Sequence, residues 1–227
     1  MGGPRRVHPP GLAFGALPPV HLVLLSHNHY DHGDESTLRR LAAQPAPLFV
    51  APLRPRALLA GCGARRIVEL DWWQSHVIAP AFSVTLTPAR HWSNRLGTPR
   101  NHRLWGGFSL SLGAPAHRLW FAGDTGYDEE LFRSIGHRAG APRPRARAHR
   151  RLRTALVHGP DAPESRRSGA LPSGHGARRS LALHWGTFQL TDEGRDDPVH
   201  ALTAARTAAG LADKAFEGVA PGATVTV

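Results

Sequence analysis

An α/β fold is predicted by three features of this 227-residue chain. Short apolar runs alternate with segments of helical spacing. Histidines and aspartates recur at the ends of the apolar runs, where an α/β sheet gathers its functional groups. The length, with 41% hydrophobic and 20% charged residues, suits one globular domain with a sizeable core. Residues 1–227 are therefore read as one domain.

The elements follow in order. Residues 1–19 are rich in Pro and Gly and form an extended lead-in. His21 to Leu25 (HLVLL) is a buried strand. Ser26 to Gly33 (SHNHYDHG) is a polar turn. Ser36 to Ala43 is helical, with Leu38 and Leu41 on one face. Leu48 to Val50 is a strand, and Arg56 to Ala60 a short helix stopped by Gly61 and Gly63. Ile67 to Leu70 is a strand. Phe82 to Thr87 (FSVTLT) alternates as a half-buried strand. Leu104 to Leu112 and Arg118 to Ala122 are strands around a turn near Gly113. Leu181 to Leu183 is a strand, and Pro198 to Ala209 a helix.

Residues 136–176 break this pattern. Their large apolar side chains are only Leu152, Leu156, Val157 and Leu171, among Arg, Pro, Ala and Gly. Such a composition buries too little surface to offset its ordering entropy. The formal charge of +11 comes almost wholly from this region: Arg133 to Arg179 hold twelve arginines against Asp161 and Glu164. The rest of the chain is nearly neutral, so the charge does not mark a general polyanion-binding surface.

Other classes are excluded by composition. No apolar run reaches the roughly 18 residues of a membrane-spanning helix. The start, MGGPRR followed by Pro9-Pro10, has no secretory apolar region. One cysteine, Cys62, rules out an internal disulfide or a multi-cysteine metal site and reads as an ordinary buried thiol. The expected location is cytoplasmic.

The sharpest signal is His27-x-His29-x-Asp31-His32: four metal-capable side chains within six residues, directly after an apolar strand. Imidazole nitrogens and carboxylate oxygens suit zinc. His91, Asp124 and His184 each lie at or just beyond the end of another apolar run. Packing does not explain four adjacent polar ligands. His8, His21, His76, His102, His117 and His200 read as surface or satisfied core residues, and His137, His149, His158 and His175 receive no role.

These residues carry a resemblance. SHNHYDH at 26–32, ARHW at 89–92, FAGDTGY at 121–127 and LHWGTF at 183–188 resemble the metallo-β-lactamase superfamily. With ELDWW at 69–73 and LWG at 104–106, the sequence is similar to the branch of N-acylphosphatidylethanolamine-hydrolysing phospholipase D, over about residues 3–135 and 177–195. The resemblance implies an αββα sandwich with two zinc ions in a cleft between the sheets. His27, His29 and His91 would hold the first ion, and Asp31, His32 and His184 the second. Asp124 would bridge them. Asp31, His32 and Asp124 are also the expected catalytic residues. Thr125, Tyr127, Asp128 and Thr187 are candidate neighbours that orient ligands or meet phosphate. Trp72, Trp73, Trp92 and Trp185 are read as core packing.

The chain departs from the family pattern twice. It begins after the point where the family has further N-terminal strands, so the sandwich is expected to be incomplete. The segment 137–176 lacks the family text, yet Arg151 to Pro160 (RLRTALVHGP) has a coding that gives AYEPRWFMG when read one base later. The pattern resumes at Ala177. The segment is therefore read as frame-shifted and irregular.

The activity the resemblance implies is zinc-dependent phosphodiester hydrolysis of N-acylphosphatidylethanolamine-type lipids by a metal-bound hydroxide. The alternatives are a zinc lactonase of the ascorbate-6-phosphate type, or a non-functional truncated and frame-shifted product. The expected partner is a lipid or small phosphodiester, with peripheral membrane contact and no specific nucleic acid. Oligomeric state stays open.

Overall fold

The computed structural model describes residues 6–113, 117–138, 152–157, 177–188 and 194–225. After a 3₁₀ turn at Phe14–Ala16, the first sheet is built from β1 (Leu22–Leu24), β2 (Leu48–Pro52) and β3 (Arg66–Leu70), with α1 (Glu35–Ala42) and α2 (Arg56–Gly61) in the crossovers. All its neighbours are parallel, in the order β1-β2-β3. The second sheet contains β4 (Ser75–Ala79), β5 (Phe82–Thr87), β6 (Gly107–Leu112), β7 (His117–Asp124), β8 (Leu152–Val157), β9 (Ala177–Leu183) and β10 (Phe216–Gly218). Its order is β10-β9-β8-β7-β6-β5-β4. The half from β4 to β7 is antiparallel and the half from β7 to β10 parallel. Two further helices are α3 (Glu129–Arg138) and α4 (Asp197–Ala208).

Strand alternation sorts the apolar side chains into three layers of core. On β2, Phe49 and Ala51 pack with Leu38 of α1 and Leu59 of α2. Leu48 and Val50 point the other way and meet Val84, Leu86 and Phe108 of the second sheet. On β7, Trp120 and Ala122 pack against Phe132 and Ile135 of α3 and Leu202 of α4, while Phe121 turns toward the inter-sheet layer. The order helix, sheet, sheet, helix follows, which is the predicted αββα sandwich.

Most of the predicted elements appear within a few residues of their expected ends. β4, α3 and β10 were not legible in the sequence. β4 is an edge strand with one face in water. α3 is set by Asp128, whose carboxylate accepts from Leu131 N at 2.9 Å and fixes the first turn. β10 has only three residues and owes its existence to pairing with β9. One expectation is corrected. The stretch 137–176 was expected to be irregular, yet α3 runs to Arg138 and Leu152–Val157 form β8, paired with β7 on one side and β9 on the other. Backbone ladders on both sides satisfy its N–H and C=O groups whatever the side chains are. The rest of that stretch, residues 139–151 and 158–176, lies outside the described residues.

Candidate metal centre

The second sheet's topology sets the site. β5, β7 and β9 run in one direction, so Thr87, Asp124 and Leu183 end at one rim of the sheet. His91 follows β5, Asp124 closes β7, and His184 follows β9. β1 delivers Ser26–His32 to the same rim from the first sheet: Gly106 N donates to Ser26 O at 3.0 Å, joining the two sheets there.

Local backbone features aim the side chains. In the loop after β1, Gly33 N and His32 N both donate to His29 O, at 2.7 and 3.2 Å, which coils 29–33 into one tight turn. The β7–β8 register slips between Phe121 and Asp124, and a bulge of this kind redirects the side chain beyond it. Gly123 sits in that slip at φ +66°, and a Cβ there would lie 2.7 Å from Gly106 O and 3.1 Å from Ser26 Cβ. Gly123→Ala is therefore expected to cost about 2–4 kcal/mol by strain and overpacking. It should also displace Asp124, seen as a lower urea midpoint together with weaker metal uptake. His184 has φ +62°, a left-handed conformation uncommon for a residue with a Cβ, and Gly186 follows at φ +64°.

All seven predicted ligands come together. His27 Nε2 lies 3.0 Å from His29 Nδ1, and His91 Nε2 lies 3.2 Å from the same atom. Asp31 Oδ2 is 3.1 Å from His184 Nε2 and 3.4 Å from His32 Nε2. Asp124 Oδ2 stands between the two groups, 3.2 Å from His32 Nε2, 3.7 Å from His91 Nε2 and 3.8 Å from His27 Nε2. Its other oxygen, Oδ1, is buried without a hydrogen-bond partner.

This geometry fits metal ions. One imidazole nitrogen carries either one proton or one lone pair, so His29 Nδ1 cannot complete hydrogen bonds with two ring nitrogens at once. Donors on a tetrahedral zinc stand roughly 3.3 Å apart, close to the spacings seen. The orphaned Asp124 oxygen and the mixed nitrogen and oxygen donors point the same way. Among the described residues, three overlapping clusters have this convergence: His27, His29 and His91; His27, His32 and Asp124; Asp31, His32 and His184.

The electrostatics divide the imidazoles. Burial, aided by repulsion from His32, His91 and His29, pushes His27 down to about 2, so it is neutral. Burial also opposes charge on His32, but the Asp124 and Asp31 carboxylates, 3.2 and 3.4 Å from its Nε2, prevail and raise it to about 9. His184 is raised too: burial opposes, and the bond to Asp31 with the Asp124 charge outweighs it. Burial would lift both carboxylates, yet the histidines hold Asp124 at about 2 and Asp31 well below the usual carboxylate range.

The neighbours were partly foreseen. Thr125 Oγ1 accepts from Arg90 N at 3.0 Å, and Asp128 pairs with Arg90 at 2.5 Å, tying the loop of His91 to that of Asp124. Tyr127 stacks on Phe132 in the core below. Thr187 Oγ1 lies 3.5 Å from His8 Nε2, and Val7 N donates to Thr187 O, so the lead-in braces the His184 turn. His8, read from the sequence as a surface or satisfied core residue, is part of this brace. Trp72, Trp73 and Trp185 pack against core as expected. Trp92 does not: its ring stands edge-on to His29 at 4.4 Å, with Arg100 stacked on it at 4.4 Å. Trp92 is a wall of the site, because its loop leaves the sheet before the aromatic can reach the interior. Sequence reasoning missed Ser26, whose Oγ meets His27 Nδ1 at 3.0 Å and orients that ring. A serine beside a histidine carries no spacing signal.

An uncharacterised protein of Mycobacterium tuberculosis is 38% identical over 208 residues, covering 89% of this chain and 54% of its own length. The mitochondrial N-acyl-phosphatidylethanolamine-hydrolyzing phospholipase D of Saccharomyces cerevisiae is 29% identical over 94% of this chain and 46% of its own. The chain thus spans about half the length of the curated relatives it matches. Among solved structures, the metallo hydrolase Igni18 of the archaeon Ignicoccus hospitalis shares the fold with a TM-score of 0.63 at 22% identity, over 91% of this chain and 79% of its own. The family model described as the beta-lactamase superfamily domain matches residues 1–143, well over half the chain. That match, on a fold with the same layers, places this chain in the metallo-β-lactamase superfamily.

Proposed function

We propose that this chain is a metal-dependent hydrolase acting on phosphodiesters of the N-acylphosphatidylethanolamine type, with two zinc ions as cofactors. The observation that carries this is the convergence of five imidazoles and two carboxylates on one sheet rim, with Asp124 Oδ2 within 3.8 Å of both His27 and His32. His27, His29 and His91 would hold one ion and Asp31, His32 and His184 the other, with Asp124 available to both. Bound zinc supplies a water ionised near neutral pH and positive charge for both oxygens of an in-line displacement. The chain's own part is to fix that chemistry in place. Ser26 orients His27, the Arg90 contacts fix the spacing of His91 and Asp124, and Trp92 keeps water off one side of His29. In this reading Asp31, His32 and Asp124 are the catalytic residues.

The names of the yeast relative and of a Caenorhabditis elegans phospholipase D that is 27% identical favour the lipid substrate over a lactone. No helix among the described residues is long and apolar enough to cross a membrane. Peripheral contact with lipid is proposed from the sequence resemblance. A single domain over 1–227 and a cytoplasmic location are proposed from the sequence; the yeast relative's name places that protein in the mitochondrion.

The test offers N-acylphosphatidylethanolamine vesicles and a sugar-lactone phosphate to zinc-loaded protein. Release of N-acylethanolamine is expected. Turnover of the lactone alone overturns the substrate. A chain that neither melts cooperatively nor takes up zinc is the frame-shifted, non-functional product.

A further inference from the structure

Arg95 is one of the most deeply buried cations of the described residues, at 7% exposure, and the reading of the centre gives it no task. It belongs to the loop that carries His91, yet its guanidinium reaches across to the loop that carries His29, Asp31 and His32. Nη1 donates to Asn28 O and to Gly33 O, both at 3.0 Å. These two carbonyls are the two ends of the ligand-bearing turn. Nη2 donates to Glu35 Oε1 at 3.0 Å in the first turn of α1. The guanidinium carbon lies 4.3 Å from the centre of the Tyr30 ring, and the Tyr30 hydroxyl accepts from Leu96 N at 3.2 Å. Arg95 is itself held in a turn, its carbonyl accepting from Thr98 N at 3.1 Å and Thr98 Oγ1 at 2.8 Å.

A tight turn that aims three side chains inward must turn carbonyls outward, and buried carbonyls need donors. One planar guanidinium meets two of them, a carboxylate and a ring face at once; a lysine ammonium has no such fork. The contact also spans two ligand-bearing loops, so it sets the distance between them.

We propose that Arg95 is a positioning residue of the metal centre: by clamping both ends of the Asn28–Gly33 turn from the His91 loop, it fixes the spacing of His29, Asp31 and His32. The proposal rests on the metal reading above. Its test uses the full chain with Arg95→Lys and Arg95→Ala. Zinc affinity is read by competition with a chromogenic chelator, ligand geometry by the visible spectrum of the cobalt-substituted protein, and folding by thermal melting of the metal-free form. Arg95→Lys is expected to melt cooperatively yet lose about 10–100-fold in zinc affinity, as losses of groups behind the ligands do, with an altered cobalt spectrum. Arg95→Ala is expected to lose more. Wild-type affinity and spectrum in a folded Arg95→Lys protein overturn the proposal. So does failure of Arg95→Lys to fold, which makes Arg95 a folding residue. If the wild type binds no zinc, the metal reading falls and takes the clamp with it; if the wild type binds and Arg95→Lys binds equally, the clamp alone falls.

Discussion

On the two-ion reading proposed above, Asp124→Ala is expected to reduce bound metal by at least one ion per chain and to lower hydrolysis by about 10³-fold or more. The carboxylate sits where both ligand groups meet, and it is the nearest negative charge common to His27, His32 and His91. Charge stabilisation by metal ions is worth several kcal/mol in such reactions, and each 1.4 kcal/mol or so is a factor of ten in rate. Asp124→Asn keeps the shape and one oxygen, so it separates loss of charge from loss of packing. Elemental analysis by mass spectrometry alongside turnover reads both effects. Full zinc content with near wild-type turnover in either variant would remove Asp124 from the centre.

The metal-free protein is expected to have a stability that peaks near pH 6.5 and falls on both sides. Below that pH the unfolded chain protonates His27, whereas the folded chain keeps it neutral because its value is pushed down to about 2. The unfolded state then binds more protons, and stability drops as pH falls. Above pH 6.5 the sign reverses. His32, raised to about 9, and His184, also raised, keep their protons when folded and lose them when unfolded, so stability drops as pH rises. Each group contributes a slope of at most about 1.4 kcal/mol per pH unit. Zinc changes this. Metal-bound histidines must be neutral, so binding expels protons from His32 and His184, and affinity should rise with pH up to about 9. Urea melts of chelator-treated and zinc-loaded protein from pH 5 to pH 9 measure both limbs. A metal-free protein that gains stability steadily up to pH 9 would contradict the charge state assigned to His32.

Residues 152–157 mark where sequence reading reached its limit. Leu152 and Val157 have ordinary strand character, but the surrounding arginines and prolines hide it, and only β7 and β9 on either side make the stretch a strand. Trp92 fails for a related reason. Composition says a tryptophan belongs in a core, and only the path of the chain after β5 shows that this one stands beside His29. Arg95 is likewise silent in sequence, since a lone arginine in a loop between Asn94 and Leu96 reads as solvated.

The sequence by itself determined the α/β class through apolar periodicity and marked seven candidate ligands as histidines and aspartates at the ends of apolar runs, while the αββα arrangement came from its resemblance to the metallo-β-lactamase superfamily. Tertiary structure decided what those residues become to one another. Strand order put His91, Asp124 and His184 on one rim, the slip at Gly123 aimed Asp124 between two clusters, and Arg95 tied two loops that lie more than sixty residues apart. Distances, charge states and clamps of this kind depend on which segments meet, and that is a property of packing between elements far apart in the chain.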